Sequence, residues 1–347
     1  MDTQTALISL GWKPSYQQQQ SIDELDTTRP VRVIAQHRSR LACSNGLELI
    51  DLDVSDAMPA ITVGDWLLLN HQQQFMRLLD RHSLFSRKAA GSKLQIQLIA
   101  ANVDTLFIVS SLNQDFNLNR IERYLALAYE ADVEPIVVLT KQDQCDNADD
   151  YISQMQAIDS QLMVIAVNAL DKSSVEQLQP WCYRGNTVAF MGSSGVGKST
   201  LVNSLAGSHS QQTSAIREDD SKGRHTTTGR VLQQLASGAM LMDTPGMREL
   251  QLADCEQGLE EAFQDIQQLS RHCKFADCLH QNEPGCAVKR AIDQDNLDER
   301  RLSNYLKLKS EQAFNSASLA EKREADKSFT RSIKQVQSTN RRNKKNR

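Results

Sequence analysis

The decapeptide MGSSGVGKST at 191–200 fits the spacing G-x-x-x-x-G-K-[ST] through Gly192, Gly197, Lys198 and Ser199. Glycines at these positions let the backbone curl its N–H groups inward, as a row of phosphate oxygens requires. Ser193, Ser194, Gly195, Val196 and Thr200 fill out the loop. Lys198 is placed to meet the β and γ oxygens, and the Ser199 hydroxyl to ligate Mg²⁺. A second peptide, DTPG at 243–246, offers Asp243 to the same metal ion and the Gly246 N–H as a sensor of the γ-phosphate. The tetrapeptide is weak alone and convincing beside a phosphate loop. Together the two describe a site for a nucleoside triphosphate and are silent on its base.

A third peptide, TKQD at 140–143, addresses the base. The Asp143 carboxylate can accept both N1–H and N2–H of guanine, a pair of donors that adenine lacks. Lys141 can lay its stem over the ring, Gln142 sits between them, and Thr140 can tie this loop toward the phosphate loop. A site built on such hydrogen bonds rejects a base without them by ~10,000-fold or more. Asn168 and Ala169, in NAL at 168–170, supply a further contact if the Ala169 N–H reaches guanine O6. An ATP-using enzyme is the competing reading, and Asp143 argues against it.

The order of these peptides is unusual. In an ordinary GTPase the phosphate loop opens the domain, whereas here both base-reading peptides precede it. A circular permutation accounts for this, because it moves the termini while keeping the sheet.

The elements that must hold these peptides are visible as pattern. Between 96 and 252 apolar runs alternate with amphipathic ones: VDTLFIVSSL (103–112), a helix-like LNRIERYLALAYEA (118–131), EPIVVLT (134–140), LMVIAV (162–167), NTVAFM (186–191) and AMLM (239–242). Strand–helix alternation predicts a parallel sheet with helices on both faces and ligands at the carboxyl ends of its strands. Every candidate motif falls at such an end. Before this region, VRVIAQH, LELIDL, DWLLLN and MRLLDRH are short strand-like runs with turn-forming pieces between them, which predicts a small β-barrel of the OB type over 1–95. Arg29, Arg32, Arg38, Arg40, Arg77, Arg81, Arg87, Lys88 and Lys93 give it a basic character suited to nucleic acid. Residues 253–326 are polar and read as mostly helical. The fold class expected is therefore multidomain α/β.

Three of the seven cysteines crowd into CKFADCLHQNEPGC at 273–286. Cys273, Cys278, His280 and Cys286 follow C-x4-C-x-H-x5-C, a set that can close one structural zinc site with no open position for catalysis. His272, beside Cys273, is the alternative imidazole. Cys43, Cys145, Cys182 and Cys255 are scattered and read as small buried hydrophobes.

Composition sets limits. The 347 residues are 40% hydrophobic and 24% charged, and no run approaches the roughly 18 apolar residues of a membrane span. The start, MDTQTALISLGWKP, lacks the features of a signal peptide, so the expectation is a cytoplasmic protein without membrane contact, acting as a monomer. The net charge of −4 conceals an asymmetry: 327–347 holds eight Lys/Arg and no Asp/Glu, which leaves −12 on the rest. A basic flexible tail on an acidic body suits an anionic partner, with a merely solvated end as the plain alternative.

Taken together, GSSGVGKST, GRHTTT (223–228), DTPGM (243–247) and CKFADCLHQNEPGC resemble the circularly permuted, small-subunit-dependent ribosomal GTPases of bacteria, the RsgA or YjeQ family. The resemblance covers nearly the whole length and implies GTP hydrolysis to GDP and phosphate, stimulated by the small (30S) ribosomal subunit during its late maturation, with binding to 16S rRNA. Thr140 stands where Asn is usual in that family. Action on the large subunit or another RNA, and a binding switch with negligible turnover, are the alternatives.

Met247 follows DTPG where a water-orienting Gln would sit, and a thioether cannot orient water. His225, in GRHTTT, is the candidate for that role, and Thr227 or a neighbouring threonine the candidate to complete the Mg²⁺ shell.

Overall fold

The N-terminal runs become strands because alternate side chains can be buried, as in Leu49–Asp53, where Ile50 and Leu52 point inward and their neighbours outward. The structure, a computed structural model, describes residues 2–88, 96–206, 230–243, 252 and 255–316. Three short helices come first, α1 (Thr3–Ser9), α2 (Pro14–Gln17) and α3 (Ile22–Thr27), the last opened by a capping box of Ser21 and Glu24. Strands β1 (Thr28–Gln36), β2 (Arg40–Ser44), β3 (Leu49–Asp53), β4 (Trp66–Asn70) and β5 (Phe75–Leu78) then pair antiparallel in the order β3-β2-β1-β4-β5. That is the order of a five-stranded OB-type barrel opened between β3 and β5. Val31, Val33, Leu41, Cys43, Ile50, Leu52, Ile61, Leu67 and Leu69 fill it.

A hairpin of β6 (Leu84–Lys88) and β7 (Ile96–Ala101) follows. The boundary expected at residue 95 falls between its two strands.

The central sheet begins with β8 (Thr105–Ser111) and continues through α4 (Leu118–Glu130), β9 (Glu134–Thr140), α5 (Ala148–Gln156), β10 (Met163–Ala166) and α6 (Lys172–Val175). β11 (Thr187–Met191), α7 (Lys198–Ala206), β12 (Arg230–Gln234) and β13 (Met240–Asp243) complete it. Strands β10-β9-β8-β11-β13 are parallel neighbours in that order. Their near-continuous apolar runs are buried on both sides, as in β8, where Leu106 and Ile108 enter one core and Phe107 and Val109 the other. α4 covers the first core with Ile121 and Leu125; α6 and α7 cover the second with Val175 and Leu201.

β12 runs antiparallel to β13 and also pairs with β1 through Ala35 and Val231, so one sheet of eleven strands passes from the parallel region into the barrel. The pattern of the sequence did not anticipate this join. Arg32, fully buried, reinforces it: its guanidinium donates to the Gly64 and Asn102 carbonyls at 3.2 and 2.9 Å, to the Thr187 hydroxyl at 2.9 Å, and to the Leu10 carbonyl.

The last unit is helical: α8 (Glu256–Ala262), α9 (Gln264–Ser270), α10 (Ala287–Asp293) and α11 (Glu299–Ser316). It docks on α4. Gly258 lets α8 approach so closely that a Cβ there would lie 2.1 Å from the Ala126 carbonyl oxygen. Glu122 of α4, with no exposed side-chain surface, accepts from Arg300 and Arg301 at 2.9 and 3.0 Å, and Arg123 pairs in two-pronged fashion with Glu311 at 2.7 Å. No helix among the described residues is long and apolar enough to cross a membrane.

Candidate nucleotide site and metal cluster

β11 ends at Met191 and α7 starts at Lys198, so the loop 192–197 joins a central strand to a helix N-terminus, where anions are favoured. Gly192 is required sterically, since a Cβ would sit 2.3 Å from the Val109 carbonyl oxygen of the next strand. Lys198 is buried, and its Nζ donates to the Gly192 carbonyl at 2.8 Å and to the Ser193 carbonyl. Ser194, Gly195 and Ser199 are exposed on the lip, Thr200 is half-buried, and Val196 is buried beneath.

The loops after β9, β10 and β11 are sewn together. Thr140, fully buried at the end of β9, donates its hydroxyl to the Val196 carbonyl at 2.6 Å. The Gln142 N–H donates to the Val167 carbonyl at 3.3 Å, and Ser204 of α7 donates its hydroxyl to the Ala169 carbonyl at 2.7 Å. Lys141 adopts a left-handed backbone (φ 61°) that turns the chain into the short turn Gln142–Gln144 and leaves Gln142 and Asp143 exposed. Asn168 accepts from the Leu170 N–H at 3.0 Å, shaping the NAL turn beside them. TKQD, NAL and the phosphate loop thus occupy one end of the sheet. Asp243 joins them as the exposed last residue of β13, the neighbour of β11. His225, Thr227, Gly246 and Met247 lie outside the described residues.

The thiols of Cys273, Cys278 and Cys286 and the His280 ring converge, with all four ligand atoms within 4.8 Å of one another. The separations Cys273–Cys286 (3.9 Å), Cys273–His280 (3.7 Å) and Cys286–His280 (3.5 Å) suit a small tetrahedron. Zinc–sulfur bonds of about 2.3 Å imply edges of about 3.8 Å, so the four residues fit that ion. His272 is not part of the cluster. Burial works against the Cys273 thiolate, yet the Ala287 and Val288 N–H groups at the start of α10 hold its pKa below the usual thiol value.

A model of the RsgA GTPase family matches residues 78–253. Small ribosomal subunit biogenesis GTPase RsgA 2 of Vibrio parahaemolyticus is 57% identical over 98% of this chain and 95% of its own length. The protein of the same name from Vibrio vulnificus is 56% identical over 96% of this chain and 95% of its own length. The chain belongs to the RsgA GTPase family. Its activity is accordingly GTP hydrolysis.

Other members are more distant, such as the RsgA of Mesorhizobium japonicum, 44% identical over 89% of this chain and 91% of its own. Two solved structures share the fold. YjeQ from Thermotoga maritima has a TM-score of 0.60 at 25% identity, covering 81% of this chain and 97% of that one. YloQ, described as a circularly permuted GTPase, has 0.59 at 24%, covering 84% and 96%. The permuted order is visible in this chain: it enters at β8 and reaches the phosphate-loop strand, its immediate neighbour in the sheet, only after two more strands. A model of the ABC transporter family also matches 175–344, a span that contains the phosphate loop common to P-loop proteins but omits TKQD.

The sequence had no signal for the Ser204–Ala169 tie, since serine in a helix is unremarkable. It also over-counted the basic surface of the barrel. Arg32 is interior; Arg77 is paired with Glu24 and Arg81 with Asp65, both at 2.7 Å; and Arg40 lies 3.3 Å from Asp51. Arg29 and Arg38 are exposed, and Lys93 lies outside the described residues. Cys43, Cys182 and Cys255 are buried as expected, whereas Cys145 is half-buried.

Proposed function

We propose that this GTPase acts in the maturation of the small ribosomal subunit, binding the 30S particle and its 16S rRNA and hydrolysing GTP to GDP and phosphate when docked there. The observation that carries the reading is the Thr140–Val196 hydrogen bond, which brings the guanine-selecting loop to the phosphate loop in a chain closely similar to relatives named for that task. Such a role places the protein in the cytoplasm.

In this reading Asp143 selects guanine and Lys141 packs on its ring. The N–H groups of 192–200 and the Lys198 ammonium hold the phosphates. Ser199, Asp243 and Thr227 are the residues that would hold Mg²⁺, which when bound offsets charge between the β- and γ-phosphates. His225 orients the attacking water in place of the absent glutamine, and the Gly246 N–H senses the γ-phosphate. Cys273, Cys278, His280 and Cys286 hold one structural zinc. The exposed barrel arginines, the metal-bearing unit and the basic tail supply contacts to RNA phosphates, so that loss of the γ-phosphate, sensed at DTPG just before the chain enters this unit, ends the grip on RNA.

The test is the GTPase rate titrated separately with purified small and large subunits. Strong stimulation by the small subunit alone is expected; stimulation by the large subunit alone overturns the proposal. Single-turnover hydrolysis by His225→Ala tests its role, wild-type rates with small subunits present being the contrary result.

A further inference from the structure

The phosphate loop has a support that no motif announces. Asp115, in the loop from β8 to α4, and Arg120, in the first turn of α4, form an ion pair at 3.0 Å. Both reach the loop: Arg120 Nη1 donates to the Ser193 hydroxyl oxygen at 2.8 Å, and that hydroxyl donates to Asp115 Oδ2 at 2.8 Å. The triangle is closed, each corner bonded to the other two. The Arg120 hydrogen bonds, with that from Ser193, hold the Asp115 pKa below the usual carboxylate value.

Ser193 is a telling point of attachment. Its side chain meets the pair, while its carbonyl oxygen accepts from Lys198 Nζ. One residue therefore links a charge pair at the start of α4 to the ammonium that meets the β and γ oxygens. Arg120 is itself fixed by its place in the first turn of α4, where its N–H is capped by the Asn117 side chain at 3.1 Å.

Fold stability does not call for this arrangement. Side chains of Arg120 and Asp115 are 36% and 40% exposed, and an ion pair so open to water contributes little to stability. Its hydrogen bonds to a glycine-rich loop, which has few side chains to hold it, matter more. We propose that Asp115 and Arg120 are positioning residues of the GTPase reaction: through Ser193 they set the phosphate loop and the Lys198 ammonium in the conformation that receives GTP.

The inference rests on 191–200 being the GTP phosphate loop, and the experiment separates the two. GTP hydrolysis by the full-length protein is measured for Arg120→Ala, Ser193→Ala, their double variant, Arg120→Lys and Lys198→Ala, with thermal unfolding recorded for each. Arg120→Ala and Ser193→Ala should each lower kcat/KM by roughly tenfold, mostly through KM, because the loop grips ground state and transition state alike. The double variant should be no worse than the poorer single one, and Arg120→Lys should recover part of the loss. Tm should stay near that of the wild type. Unchanged kcat/KM in Arg120→Ala, or losses that multiply in the double variant, overturn the positioning role. Wild-type hydrolysis by Lys198→Ala instead overturns the reading of the loop itself.

Discussion

The Thr140 hydroxyl and the Val196 carbonyl lie 2.6 Å apart, 56 positions away from each other in the chain, and join the TKQD loop to the glycine-rich loop before α7. Threonine suffices here because one hydroxyl reaches the carbonyl without solvent access. Thr140→Val keeps the shape and leaves that carbonyl without this donor. We expect a loss of about 1–2 kcal/mol in urea unfolding and weaker GDP binding by fluorescence titration.

Asp143 is exposed in the short turn Gln142–Gln144. Asp143→Asn exchanges one carboxylate oxygen for an amide donor, which opposes the guanine N2–H but suits the C2 carbonyl of xanthine. GTP hydrolysis should fall on the order of 100-fold, and xanthosine triphosphate should become the better substrate. Retention of GTP preference would show that the base lies elsewhere.

The thiol–imidazole cluster ties the 273–286 loop to α10, whose N-cap is Cys286. Elemental analysis should find one zinc per chain, lost in Cys286→Ser. Chelation should lower Tm and open 273–286 to protease while GDP affinity holds, because the four ligands all come from 273–286 and none from TKQD or the phosphate loop.

Glu122 is a buried carboxylate between Arg300, Arg301 and Asn304, and Arg301 is itself nearly inaccessible. Removing the acid strands a buried guanidinium that keeps, among the described residues, only Asp265 as ionic partner. Glu122→Ala should cost about 3 kcal/mol in urea unfolding. Glu311→Ala, at a more open pair, should cost much less.

Acid should weaken the barrel's attachment to α3. Hydrogen bonds from Arg77, and then from the Ser21 N–H, lower the Glu24 pKa from 4.5 to about 2. A depressed carboxyl contributes stability above its unfolded pKa and loses it as pH falls through the folded one. The contribution should be complete above about pH 5 and vanish toward pH 2, and Glu24→Gln should flatten the Tm-versus-pH curve in that window.

Much of the site was legible because phosphate binding, guanine selection and metal ligation each demand particular residue types within a few positions. Gly192, Lys198, TKQD and the C-x4-C-x-H-x5-C spacing carry that demand in contiguous sequence. The basic character of the barrel misled for the opposite reason. A string of arginines does not say which face acids, and Arg77 and Arg81 turned out to have Glu24 and Asp65. Asp115 and Arg120 left no trace because an acid and an arginine five apart are ordinary until a loop from elsewhere is laid beside them.

The sequence by itself determined the permuted order and the set of residue types offered to phosphate, base and metal, since both follow from which residues succeed one another. Only the tertiary structure decided what joins what: β1 to β12, Arg32 to Thr187 across 155 positions, and α4 to both the phosphate loop and α11. Local patterns specify the conformation and buried face of each segment, while partners distant in the chain are chosen by which faces can be buried and which polar groups satisfied together.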